Sequence, residues 1–107
     1  MVEYKFGYSG EHADAFINEL LAYTRVNDKK MPRGVNYILG ISGDAHYDFY
    51  RFHNVAAVIE KKQKRKYRVG TLETYVTVFL DAPSNFALNK ALATITQMTG
   101  FEPSRKK

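Results

Sequence analysis

Two runs of strand character, Val55 to Ile59 and Tyr67 to Leu80, flank the block Lys61-Lys62-Gln63-Lys64-Arg65-Lys66, whose charge Tyr67-Arg68 continues. The second run is rich in β-branched and aromatic side chains, which suit a pleated surface better than a helix, where they lose rotamer freedom against the preceding turn. Its period is two. Leu72, Val76, Val78 and Leu80 share one face, expected to be buried, while Glu73, Tyr75, Thr77 and Phe79 share the other, expected to be half wet. Two such runs joined by a polar block predict an antiparallel hairpin with the cations at its tip. Gly70 is expected to mark a bulge or bend.

The rest of the chain supplies elements that such a hairpin can pair with or lie beneath. Val2, Tyr4, Phe6 and Tyr8 alternate with Glu3, Lys5 and Gly7 as a half-buried strand. Ser9 is expected to cap a helix running to about Val26, in which Ala13, Phe16, Ile17, Leu20, Leu21 and Thr24 form the apolar stripe and Glu11 favours the positive helix end. Asn27 to Gly34 reads as a solvated connector carrying Lys29, Lys30 and Arg33, with Pro32 barring helix continuation. Val35, Tyr37, Leu39 and Ile41 alternate as a second strand that ends at the turn Ser42-Gly43-Asp44. Tyr47, Phe49, Tyr50 and Phe52 favour a strand pairing with Val35 to Ile41, although Asp44 offers a cap for a short helix instead. A strand continuing into Val55 would make a long ribbon bent near Asn54.

Asp81-Ala82-Pro83-Ser84 opens the last helix, with proline tolerated in the first turn. Leu88, Ala91, Leu92, Ile95 and Met98 form its stripe, and Gly100 with Phe101 predicts a Schellman-type ending, Phe101 folding back on the last turn. The order is β-α-β-β-β-β-α, which defines an α+β two-layer sandwich: a mainly antiparallel sheet with two amphipathic helices on one face. Residues 1–103 are read as a single domain and 104–107 as a basic frayed tail.

At 107 residues, 45% of them hydrophobic, the chain buries roughly two thirds of the surface its unfolded form exposes and needs no covalent staple. The absence of cysteine removes disulfides, thiolate catalysis and cysteine-ligated zinc, and fits a reducing compartment. Met1 to Tyr8 lacks the continuous apolar core of a signal peptide and no apolar run approaches a membrane span, so a cytoplasmic location with no membrane contact is expected. Net charge is +5, and six of the sixteen Lys and Arg residues lie between Lys61 and Arg68. Three more close the chain, so the remaining seven face eleven acids. The positive field is therefore local, a basic tip on a mildly acidic body.

That distribution carries the functional expectation. Lys61, Lys62, Lys64, Arg65, Lys66 and Arg68, with Tyr67 among them, offer cations to a phosphate backbone and a ring to an unstacked base, of DNA or RNA. The same run also satisfies two plainer demands, since hairpin tips must be polar and lysines deter edge-to-edge pairing. A nuclear-localisation role for it rests on nothing else in the chain. His12, His46 and His53 show no metal-ligand spacing, so neither metal nor other cofactor is expected. His46, His53 and Arg51 could nominally serve a metal-independent ribonuclease as acid, base and phosphate cation, but polar positions in an aromatic strand explain them as well. Tyr47, Phe49, Tyr50 and Phe52 cannot all face one side of a strand, so aromatic surface is expected beyond the core. Such surface suits a protein partner or a homodimer. The sequence thus points to a non-enzymatic binding module, nucleic acid first and protein second.

Overall fold

The computed structural model describes residues 1–25, 31–42, 46–65 and 72–102. Five strands and two helices follow in the anticipated order: β1 (Val2–Ser9), α1 (Glu11–Arg25), β2 (Val35–Ser42), β3 (His46–Phe52), β4 (Val55–Arg65), β5 (Leu72–Ala82) and α2 (Asn85–Thr99). The strands form one sheet in the order β1-β5-β4-β3-β2, and every neighbouring pair is antiparallel. The architecture is the α+β two-layer sandwich. Because β1 and β2 occupy opposite edges, the chain between them must cross a sheet about 19 Å wide at the usual strand spacing. α1, with 15 residues, packs over the β1–β5 half of the sheet and against α2.

Register explains which face the helices cover. Phe6 pairs with Val78, Val78 with Ile59, Tyr50 with Ala57 and Phe52 with Val55, and each of these side chains is buried. Ala13, Phe16, Ile17 and Leu20 of α1 and Leu88, Ala91, Leu92, Ile95 and Met98 of α2 close the core over them. Met31 packs against the same cluster from the segment after α1.

Local chemistry departs from the expectations at several joints. α1 is capped by Gly10 and not by Ser9: Ser9 is the last residue of β1, paired with Tyr75, and Gly10 turns the chain at φ 64° while its carbonyl accepts the first helical bond from Asp14. The ribbon bent at Asn54 is instead a tight hairpin, with Phe52 opposite Val55 and His53 at φ 59°. β-Hairpins favour such positive-φ turns because their twist matches that of the strands. Pro83 precedes the cap of α2, and Ser84 performs the capping, its Oγ accepting from the Ala87 amide at 3.2 Å. At the other end Gly100 adopts φ 79° and its N–H bonds to the Thr96 carbonyl at 2.8 Å, while the Phe101 amide turns to Thr99 Oγ1 at 3.2 Å. This is a simple αL cap, not the Schellman pattern. Phe101 then packs toward Tyr8, Phe16 and His12, tying the end of α2 to β1 and α1. β2 alternates as anticipated only until a register shift between Tyr37 and Leu39. An irregularity of this kind at a sheet edge discourages further strand pairing. Gly70, Pro103 and the tail 104–107 lie outside the described residues.

Candidate nucleic-acid interface

β4 and β5 are the two longest strands, and their pairing outruns that of their neighbours. Among the described residues, β3 pairs with β4 as far as His46 opposite Lys61, and β1 pairs with β5 as far as Ser9 opposite Tyr75. The β4–β5 ladder continues through Lys62↔Tyr75, Gln63↔Thr74 and Lys64↔Glu73 to Arg65↔Leu72. In the described pairing a two-stranded arm therefore overhangs the sheet. Its length beyond β3 is about 13 Å at the usual rise per residue. Lys62, Gln63, Lys64 and Arg65 are exposed on it, and Lys61 at its root is half-buried. Leu72, placed on the buried face by period, is 61% exposed because the arm carries it past the helices. Thr74, two pairs nearer the sheet, is buried where the Gly10 amide donates to its carbonyl at 2.9 Å. The start of α1 thus anchors the arm's base.

The two faces of the arm differ in charge. Lys62 and Lys64 share the face turned away from the helices with Glu60 and Glu73, whereas Lys61 and Arg65 point the other way. Lys62 Nζ lies 3.5 Å from Glu60 Oε1, and the other oxygen of Glu60 accepts from Tyr47 Oη at 2.7 Å. Glu73 accepts from Tyr75 Oη at 2.7 Å, and Lys64 Nζ sits 5.7 Å from the centre of the Tyr75 ring. Each carboxylate holds its phenol above the ordinary tyrosine pKa, since the bond donated by the neutral hydroxyl would disappear on ionisation. Of the anticipated contact residues, the structure brings Lys61, Lys62, Lys64 and Arg65 together on the arm. Lys66, Tyr67 and Arg68 lie outside the described residues.

The other basic and histidine groups stand elsewhere. Arg33 precedes Gly34 and β2, beside the β3–β4 turn, the full length of β4 away from the arm's tip; Lys29 and Lys30 lie outside the described residues. His46 and His53 bracket β3, so about 23 Å of strand separates their backbones. The strand does not assemble them into the acid-base pair a ribonuclease requires. His53 sits in the turn against Gly34, its amide donating to the Gly34 carbonyl at 2.7 Å. Among the described residues no group of three His, Asp or Glu side chains converges as metal ligands.

The sheet face opposite the helices is the feature that periodicity only half announced. Tyr50 and Phe52 went to the core, while Tyr47 and Phe49 went to the open side, half-buried there. Lys5, Phe79, Val58 and Phe49 are successive partners across four strands. Phe79 is 38% exposed and Tyr75 37% exposed, and Lys5 Nζ lies 5.5 Å from the Phe79 ring centre. On either side of Phe79 the surface is concave. A hollow of about 560 Å³ is lined by Glu3, Lys5, Ala56, Val58 and Asp81, and one of about 580 Å³ by Lys5, Gly7, Ser9, Tyr75 and Thr77. Gly7 was the available signal for the second hollow, since a glycine inside a strand often marks a close approach. A Cβ at Gly7 would meet the Val76 carbonyl oxygen at 2.8 Å.

No family model, curated protein or solved structure matches the chain. No helix among the described residues is long and apolar enough to cross a membrane.

Proposed function

We propose that the chain is a small non-enzymatic binding protein that holds DNA or RNA through the basic β4–β5 arm, with Lys61, Lys62, Lys64, Arg65, Lys66, Tyr67 and Arg68 as its contact segment. The observation that carries this reading is the overhang. Four consecutive residues of β4, Lys62 to Arg65, lie beyond the described pairing with β3 and are exposed. A two-stranded ribbon fits the width of a duplex major groove, and its lysines and arginine can neutralise phosphates along a backbone. The cysteine-free composition is compatible with action in the reducing cytoplasm. A second reading, contact with a protein partner or a second copy, draws support from the exposed rings of Phe79 and Tyr75 on the open face.

Gel filtration with and without a generic oligonucleotide distinguishes the two. Nucleic-acid binding shifts the elution only when oligonucleotide is present. A dimer mass in its absence, with no binding at low salt, makes the protein-contact reading the better one.

A further inference from the structure

The hollow over Gly7 has the composition of a site for planar, charged ligands. Tyr75 and Phe79 lie on one strand and one face, four residues apart, which places their backbones about 13 Å from each other. Between them the floor is Thr77 and, across the ladder, Gly7, where the close Val76 carbonyl oxygen leaves no room for a side chain. Ser9 and Lys5 complete the rim. Each ring has its own lysine: Lys5 Nζ at 5.5 Å from the Phe79 centre and Lys64 Nζ at 5.7 Å from that of Tyr75. A ring paired with a cation offers a face for a base and a charge for the adjoining phosphate. Acids limit the track. Glu3 and Asp81 face each other one row beyond Phe79, and Glu60 and Glu73 are occupied by Lys62, Tyr47 and Tyr75.

We propose that this open sheet face is a stacking platform for single-stranded nucleic acid, entered from the arm and running across Tyr75 and the Gly7–Thr77 hollow to Phe79. The inference rests on the arm's binding nucleic acid and adds the form of its ligand. Open sheets bearing aromatics receive two or three splayed bases in this way. The span between the rings accommodates such a run. A duplex cannot use the platform, because its bases are stacked on one another and offer no free face.

The test compares short oligo(dT) and oligo(U) with a duplex of equal phosphate number, by fluorescence anisotropy at low salt. Tyr75→Ala and Phe79→Ala should each weaken single-strand binding roughly 5- to 100-fold and leave duplex affinity unchanged. Thr77→Phe keeps both rings but fills the hollow, and should lose single-strand binding in the same way. In a Phe79→Trp variant, indole emission should be quenched by oligo(dT) and not by the duplex. Wild-type protein that binds duplex but not single strands overturns the platform and leaves the arm's role standing, whereas failure to bind either overturns both. Single-strand affinity unaffected by the three substitutions overturns the platform alone. So does a dimer that Phe79→Ala converts to monomer, which would make the face an interface between copies.

Discussion

Two glycines separate the cost of a backbone angle from the cost of a clash. Gly100 and Gly34 both have strongly positive φ, 79° and 85°, but a Cβ on Gly100 would meet nothing within 4 Å whereas one on Gly34 would run into the His53 ring. Gly100→Ala should therefore cost about 1–2 kcal/mol, the ordinary penalty for a left-handed residue with a side chain. Gly34→Ala should cost more, because the His53 ring must also leave its place in the β3–β4 turn. Urea melts of the two variants measure the difference; equal losses would mean that the ring moves freely. The sequence marked both glycines as punctuation but not this pairing, since Gly34 and His53 meet only once β2 is laid beside β3. Tyr8 makes a second residue-scale case. Its hydroxyl donates to the Glu102 carbonyl at 3.0 Å, and burial, with the nearby Tyr4, pushes its pKa from 10 up to about 12. Below pH 10 the phenol is protonated in both folded and unfolded chains, and its contribution to stability is complete. Between pH 10 and 12 the unfolded chain ionises first, so stability falls. Tyr8→Phe should remove that part of the alkaline loss, seen as a shallower fall of the urea midpoint than wild type over this window.

The elements were legible because their periods are clean. α2 shows its stripe at three- and four-residue spacing, and Leu88, Leu92 and Ile95 are all buried where that spacing put them. Leu92→Ala should destabilise the fold by about 2–5 kcal/mol, as buried truncations do, and a loss below about 0.5 kcal/mol in urea melts would place that face in solvent. The same logic misleads on Leu72. It shares its face with the fully buried Val78, yet period 2 assigns a side and not a depth, and the arm carries Leu72 beyond the helices. Leu72→Ala should accordingly change stability by less than about 0.5 kcal/mol. The β3–β4 junction reads as a bend in the sequence because His53-Asn54 lacks the glycine that usually announces a two-residue hairpin turn. Ser9 was misplaced for a related reason: its backbone belongs to the ladder with β5, and the more permissive Gly10 took the corner.

At the scale of the molecule, fold class followed from counting amphipathic elements, but strand order did not. Nothing local to β1 says that it pairs with β5 and not with β2; that choice comes from which faces must be buried together beneath two helices. The same order determines how the candidate interface is built. With the described pairing of β1 reaching Tyr75 of β5 and that of β3 reaching Lys61 of β4, the last described part of the β4–β5 ladder runs beyond both and exposes its charge. Clustered lysines were visible in the sequence; their sorting onto two faces was not, because it depends on the register that sets Glu73 opposite Lys64. That sorting makes the contribution proposed for the arm testable in parts. Lys62 already has Glu60 at 3.5 Å, so it has less charge to offer a phosphate, whereas Lys61 and Arg65 face away from both acids. Replacing Lys61, Lys64 and Arg65 together by Gln should weaken binding to unrelated sequences about equally and flatten the plot of log affinity against log salt by about 0.7 to 0.9 for each phosphate no longer neutralised. Lys62→Gln alone should flatten it less than Lys61→Gln or Arg65→Gln. A salt slope that responds equally to all three single changes would mean that the Glu60 pair opens on binding and that both faces of the arm meet the backbone. A slope that responds to none would remove the arm from the interface altogether.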